Sequence, residues 1–277
     1  MDILKSIVFG IIEGITEWLP ISSTGHLIIF DYLIPMNVSA EFYDLYQVVI
    51  QLGAVMAVVV LFWDKVWPFG KTEHPLADVP VLRYVRKNIF ILWLKAFIAC
   101  IPAIIVGLLF MDWIDAHFYN PLCVALALIV VGIAFIVVEV MYKDRKPKIQ
   151  RFSQIGFDTA FYIGLFQVLA AIFPGTSRSG ATIIGALILG ISRGTSSEFT
   201  FFLSIPVMLG ASLLKIFKIG VIISFYEFII LFVGCLTAFV VSLFAIRLLL
   251  SYVRKNNFII FGIYRIILGV IILIFLM

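Results

Sequence analysis

Apolar residues run along this chain in blocks too long for the elements of an ordinary soluble core. Val48 to Trp63, Ile89 to Met111, Cys123 to Tyr142, Glu227 to Ile246 and Phe258 to Met277 approach or reach the roughly 20 apolar residues that a membrane-spanning helix needs. They do not alternate, whereas the strands of a membrane barrel would show period-2 segments of about ten residues. The pattern predicts an all-α polytopic membrane protein with about six spans, at about 45–63, 89–110, 121–142, 199–217, 221–246 and 258–277.

Two stretches break the pattern. Residues 3–19 read as a helix interrupted by Pro20 and the run Ser22, Ser23, Thr24, Gly25, after which a short apolar piece covers Leu27 to Ile34. Proline removes a backbone donor, and Ser, Thr and Gly favour caps and turns. Each arm is short, so a re-entrant helix-loop-helix hairpin is predicted over 3–34, entering the membrane and returning. Non-helical backbone at that depth is tolerated only where protein buries it or it lines a watery cavity. A kinked span with a capped second half is the alternative. A second hairpin is predicted over 154–191, around PGTSRSGAT at Pro174 to Thr182.

The loops carry the charge. Lys65, Lys71, Arg83, Arg86 and Lys87 crowd 64–88; Lys143, Arg145, Lys146, Lys148 and Arg151 crowd 143–151; Arg247, Arg254 and Lys255 follow the fifth span. Residues 111–120 instead hold Asp112, Asp115 and His117 with no Lys or Arg. The positive-inside rule makes the basic loops cytoplasmic and 111–120 an outer loop. The first hairpin then lies on the outer side and the second starts from the cytoplasmic side. Lys215 and Lys218 fall outside in this scheme, against the rule. The N-terminal stretch is expected to remain on the mature protein, because Asp2 and Lys5 precede a helix with Glu13 and Glu17 and no small-residue cleavage site.

A shift of 154 aligns Gly10, Pro20 and Ser23 with Gly164, Pro174 and Ser177; a shift of 157 aligns Leu52-Gly53-Ala54 with Leu209-Gly210-Ala211. A repeat separated by three spans is inverted, and broken helices in inverted halves converge near the midplane. The chain is therefore expected to be a single membrane domain, 1–277, built from repeats at about 1–142 and 154–277. Acids and imidazole come from one half, the guanidinium of Arg178 from the other.

Composition adds limits. The chain of 277 residues is 63% hydrophobic and 13% charged. The net charge of +4 is distributed by topology, so no nucleic-acid partner is read from it. Cys100, Cys123 and Cys235 are isolated in apolar runs, with neither a disulfide framework nor metal-ligand spacing.

Against that background EGITEWLPISSTGH, Glu13 to His26, places two carboxylates, three hydroxyls and an imidazole within fourteen residues. A charged side chain at the bilayer centre costs about 2.5 to 3.5 kcal/mol on insertion scales, so such a cluster marks a functional site. Glu13 and Glu17 share a helix face one turn apart, where like charges repel unless one is protonated or a cation sits between them. Carboxylate oxygens suit Mg²⁺ or Ca²⁺; a solvated interfacial pair is the alternative. Ser22, Ser23 and Thr24 are natural caps for a helix beginning near His26. Ser23, with an imidazole and carboxylates nearby, also has the makings of an activated nucleophile. Arg178 stands with Ser177 before an apolar helical run that includes Thr182, so guanidinium and helix-start N–H groups point at one anion site. The alternative there is a capping loop with Arg178 paired to Glu13 or Glu17.

The two stretches EGITEWLPISSTGH and PGTSRSGATI, together with QLGAVMAVV at Gln51 to Val59, resemble the bacterial undecaprenyl-pyrophosphate phosphatases of the bacitracin-resistance family. The resemblance covers essentially the whole chain. It implies a multi-pass plasma-membrane hydrolase, dependent on a divalent cation, Mg²⁺ or Ca²⁺, that removes the terminal phosphate of a long-chain polyprenyl diphosphate at a site facing the outer side. It implies metal binding by Glu13 and Glu17, catalysis by these with Ser23, His26 and Arg178, and phosphate binding by Ser177 and Arg178; Ser22, Thr24 and Thr182 are expected to bind phosphate beside them. A second copy of the chain, forming a homodimer, is the one protein partner considered. A transporter or flippase of an anionic prenyl lipid is the rival reading, since inverted repeats with broken helices are also transporter architecture. A further membrane phosphatase class with similar STGH-like and SR-like pieces is set aside: it needs a His and an Asp after its Ser-Arg, and SGATIIGALILG has neither.

Overall fold

The computed structural model describes residues 1–71, 76, 82–219 and 223–275. Its described residues form eleven α-helices: α1 Asp2–Thr16, α2 Ser23–Leu33, α3 Ala40–Leu61, α4 Trp63–Val66, α5 Lys87–Phe118, α6 Pro121–Met141, α7 Phe157–Ile172, α8 Arg178–Ile188, α9 Arg193–Ile219, α10 Phe225–Val253 and α11 Ile259–Phe275. Helices α3, α5, α6, α9 and α10 are long and apolar enough to cross a membrane. The sixth expected span is α11, 17 described residues or about 25 Å at 1.5 Å per residue. Its last two expected residues, 276 and 277, lie outside the described residues. The outward faces of these helices are apolar, as at Leu109 on α5, Val130 on α6 and Leu248 on α10. The chain is a polytopic helical membrane protein.

Capping chemistry explains where boundaries differ from the sequence pattern. The acidic segment expected as an outer loop at 111–120 is helical through Phe118. The break waits for Asn120-Pro121: the Asn120 side chain accepts from the Cys123 N–H at 2.9 Å, and Pro121 opens α6. Helix α9 starts at Arg193, before its expected apolar start, because the Ser192 hydroxyl caps the polar turn by accepting from the Thr195 N–H. Lys215 and Lys218, which offended the positive-inside rule, pair with Asp44 and Asp112.

Both interrupted stretches are two short helices joined by a tight break. Helix α1 ends at Thr16, earlier than the expected 19, and α2 begins at Ser23 rather than near His26. Ser22 is the cap, with φ +75° and its Oγ accepting from the Gly25 N–H at 3.2 Å. The second break has the same construction: Ser177 has φ +68° and its Oγ accepts from the Gly180 N–H at 3.2 Å. A positive φ at a non-glycine residue is uncommon and strained. The two capping serines set Ser22 opposite Ser177, one position off the shift that aligned Ser23 with Ser177.

Each hairpin's first arm packs against a long helix of the other half of the chain, α1 on α10 and α7 on α5. The approach depends on missing side chains. A Cβ at Gly10 would lie 2.7 Å from the Gly234 carbonyl oxygen, and one at Gly164 would lie 2.3 Å from that of Ala99. Small residues permit such backbone approach between membrane helices, where packing and not water exclusion drives association. Helices α3 with α9 and α6 with α11 pack across the halves as well. Trp18, beside Glu17 in the chain, and Phe201, beside Thr200, are both fully buried and meet edge to face at 5.2 Å, which packs the first break against α9.

Candidate active site

The two breaks meet. Glu17 stands just past the end of α1, where the chain leaves the helix, so its carboxylate faces the start of α8 and not the helix's own flank. Its Oε1 accepts from Arg178 Nη2 at 3.0 Å, and its Oε2 accepts from Ser23 Oγ at 2.8 Å. The Glu17 carbonyl oxygen accepts from Ser179 Oγ at 3.2 Å. Arg178 Nη1 donates to the Thr200 carbonyl at 3.0 Å, which fixes the guanidinium plane. Arg178 and Glu17 are both almost wholly enclosed, at 11% and 8% side-chain exposure, so their attraction is weakly screened.

His26 is held from both sides. Its Nδ1 donates to the Ser22 carbonyl at 2.7 Å, which leaves Nε2 as the acceptor for the Tyr264 hydroxyl, also at 2.7 Å. This tautomer is assigned from the carbonyl, which can only accept. The ring is therefore next to the nucleophile candidate in sequence but not bonded to it: Ser23 donates to Glu17. The expectation that His26 activates Ser23 directly is corrected on this point: although the two positions share a face of α2, both ring nitrogens are engaged by Ser22 and Tyr264, and the Ser23 hydroxyl is engaged by Glu17.

The other expected positions divide. Ser177 caps α8, and its Oγ lies 3.0 Å from Ser179 Oγ. Ser22 is the cap of α2, and Thr24 lies half-buried in that helix's first turn. Thr182, expected near a phosphate, is fully buried and uses its hydroxyl on the Arg178 carbonyl and Thr200 Oγ1, each at 2.9 Å. It fixes α8 to α9. The capping-loop and ion-pair contacts at Arg178 are realised together with its approach to Ser23 through the shared carboxylate.

Two residues outside the motifs complete the site. Arg265, fully buried on α11, donates from Nη1 to the Pro20 carbonyl at 3.2 Å and from Nη2 to the Gly175 and Thr176 carbonyls, both at 2.8 Å. One guanidinium thus ties both hairpin tips together, using carbonyls that the broken helices leave without partners. Its neighbour Tyr264 holds His26. The signal was a lone cation inside FGIYRIILGV, where an intramembrane charge is a site hypothesis by itself.

Glu13, one turn before Glu17, is fully buried, and neither carboxylate oxygen has a hydrogen-bond partner among the described residues. A buried, unpartnered carboxylate is costly unless it is protonated or something positive meets it. That orphaned group, with the second carboxylate of Glu17 a turn away, fits a hard divalent cation that would complete its oxygen shell from solvent and a phosphate. Among the described residues no group of three or more His, Cys, Asp or Glu side chains is placed to hold a metal ion.

Residues 6–271 match the family model described as bacitracin resistance protein BacA. The chain belongs to that family. It is 52% identical to the undecaprenyl-diphosphatase of Desulfitobacterium hafniense, over 99% of this chain and 96% of the relative. It is 50% identical to undecaprenyl-diphosphatase 1 of Clostridium acetobutylicum, over 99% of this chain and 97% of the relative, and 51% identical to the undecaprenyl-diphosphatase of Lactococcus lactis subsp. lactis, over 100% and 98%. In this BacA-family chain, then, the polar groups of two opposed breaks converge on one carboxylate. That places a hydroxyl, its acceptor and an anion-binding guanidinium within one hydrogen-bonded unit, the arrangement phosphoryl transfer requires.

Proposed function

We propose that this protein hydrolyses undecaprenyl diphosphate to undecaprenyl phosphate and inorganic phosphate, recycling the lipid carrier for peptidoglycan synthesis, with bacitracin resistance as the associated trait. Membership of the BacA family and the names of its relatives support the substrate. The observation that carries the chemistry is the single carboxylate of Glu17 shared by Ser23 and Arg178.

The diphosphate head enters between the hairpin tips while its prenyl chain stays in lipid. Arg178, with the N–H groups at the start of α8, offsets charge on the transferred and leaving phosphates; it exchanges part of its contact with Glu17 for the substrate. Ser23 Oγ, or a water that it positions, attacks the terminal phosphorus. Glu17 accepts the Ser23 proton across the existing hydrogen bond. The bond from phosphorus to the bridging oxygen breaks, and undecaprenyl phosphate leaves. His26 and Tyr264, joined at 2.7 Å, form the second proton route. If a phosphoserine forms, water hydrolyses it to free Ser23 and inorganic phosphate. Glu13 and Glu17 would hold the divalent cation, Mg²⁺ or Ca²⁺, which supplies charge neutralisation at the phosphate oxygens. The halves 1–142 and 154–277 form inverted repeats, and the site faces the outer side of a bacterial plasma membrane.

The test is phosphate release from undecaprenyl diphosphate by detergent-solubilised protein, with and without chelator, for wild type and Glu17→Ala. Release that falls to background in the variant and under chelation is expected. Undiminished release from Glu17→Ala contradicts the mechanism, and no release from wild type contradicts the function. Because a micelle has no second compartment, turnover there is hydrolysis and not transport.

A further inference from the structure

A cavity of about 140 Å³ opens at the end of α6 and α8, on the side of the molecule marked by the basic 143–151 segment. It offers roughly ten times the space that a single buried water needs. Helix α8 begins at Arg178 and ends at Ile188, so the cavity lies about 15 Å along that helix from the phosphate-binding tip. The mechanism above makes no use of it.

Its walls differ in kind. Val138, Leu187 and Ile188 make one side apolar, while Lys143, Arg145, Lys146, Lys148 and Arg193 supply five cationic side chains against one carboxylate, Glu139. That carboxylate is already satisfied: it accepts from Arg193 Nε at 2.9 Å and from the Phe258 N–H at 3.0 Å. Two basic residues from neighbouring segments are instead drawn to a carboxylate. Lys65 pairs with Glu198, and Arg254 approaches the same carboxylate at 3.9 Å. Orientation by loop charge explains why lysines are here, but not why they converge on an amphipathic hollow.

The hollow is also pre-formed. Lys148 N–H donates to the Gly190 carbonyl at 2.8 Å, Ser192 N–H to the Ile149 carbonyl at 2.8 Å, and Thr195 Oγ1 to the Gln150 carbonyl at 2.8 Å. These bonds fasten the basic segment to the first turn of α9, whose N-terminus, at Ser192 and Arg193, lines the cavity and adds a positive dipole end. Beyond the rim, Val137, Val140 and Met141 present an exposed apolar strip along α6.

We infer that this cavity binds the phosphate head group of an anionic membrane lipid, with the lipid's chains lying along the exposed strip of α6. A basic pocket between membrane helices meets such a head group by charge, and the adjoining strip meets the chain by its apolar surface. A free phosphate ion would satisfy only the cationic wall. This inference does not rest on the hydrolytic reading.

The experiment uses the full chain in neutral detergent. Phosphatidylglycerol, phosphatidylcholine or inorganic phosphate is added, and bound lipid is counted by mass spectrometry after repurification. The wild type is compared with Lys143→Gln/Lys146→Gln/Lys148→Gln, with each single variant, and with Arg247→Gln/Lys255→Gln in the last turns of α10 and the turn after it. Wild type should retain phosphatidylglycerol over phosphatidylcholine. At about one kcal/mol per basic residue, the triple variant should bind it on the order of a hundredfold more weakly, the singles by several-fold, and the other-loop control as wild type. Graded loss in the single variants carries the test if the triple variant fails to fold. Equal retention of both lipids, full retention by the triple and single variants, or complete displacement of phosphatidylglycerol by an equimolar amount of inorganic phosphate would overturn the inference.

Discussion

Glu17 and Arg178 come from opposite halves of the chain, 161 positions apart, and face each other at 3.0 Å in nearly complete enclosure. Neither hairpin holds a whole site. The ion pair joins them, and Ser23 reaches it through the other oxygen of the same carboxylate. That relationship makes the consequences of single substitutions specific.

Arg178→Lys should lower phosphate release by about 10²–10³-fold and Arg178→Ala by at least as much, with the protein still monodisperse in detergent. Lysine keeps the charge but loses the planar fork that spans Glu17 and the Thr200 carbonyl. Steady-state phosphate release checks this, and near-normal turnover by either variant would remove Arg178 from the chemistry.

Ser23→Ala separates the two routes of attack. If Ser23 Oγ forms the new bond to phosphorus, release falls to background and no phosphorylated protein is trapped on rapid quenching. If Ser23 positions water, a measurable residue of activity persists, because the acceptor Glu17 and the charge of Arg178 remain. Rapid quenching of the wild type completes the test, because phosphorylated Ser23 is trapped only if the first route holds.

Glu13→Gln should abolish the dependence on added Mg²⁺ or Ca²⁺ along with most of the activity. Glu13 is the acid left without a partner, so neutralising it relieves a buried charge while removing an oxygen ligand. Thermal stability in detergent should therefore hold or rise while turnover is lost. A variant that is less stable and equally metal-responsive would contradict the assignment.

Tyr264→Phe and Arg265→Lys probe the residues of α11. Loss of one hydrogen bond to His26 Nε2 is worth about 1 kcal/mol, or roughly fivefold in rate, with the fold intact. Arg265→Lys leaves at least one of three tip carbonyls unpaired and should cost more than tenfold in turnover. Parallel measurement of phosphate release on the two variants should rank them in that order.

Most of this architecture could be read from the chain. Long apolar runs mark the spans, and Pro20 and Pro174 with their following hydroxyls mark both breaks. What could not be read was set by tertiary partners. The acidic segment after Met111 continues α5 because the stop signal is Asn120-Pro121, nine residues further on, and Asp112 finds Lys218 from another helix. The i,i+3 spacing on α2 puts His26 beside Ser23, yet the Tyr264 hydroxyl from α11 and the Ser22 carbonyl take both ring nitrogens. Arg265 was visible as a lone charge, but only the meeting of two tips supplies three carbonyls for it. Ser22 and Thr182 are polar residues of the right type that fasten backbone and neighbouring helices.

The central claim is that the two hairpins form one catalytic unit through Glu17 and Arg178. It is tested most directly by a double-substitution cycle on kcat/KM for phosphate release from undecaprenyl diphosphate, with Glu17→Gln, Arg178→Gln and the pair. Residues acting as one unit are strongly non-additive. The account expects the double variant to be no more than a few-fold slower than the worse single one; losses that simply multiply would show two independent sites and contradict it.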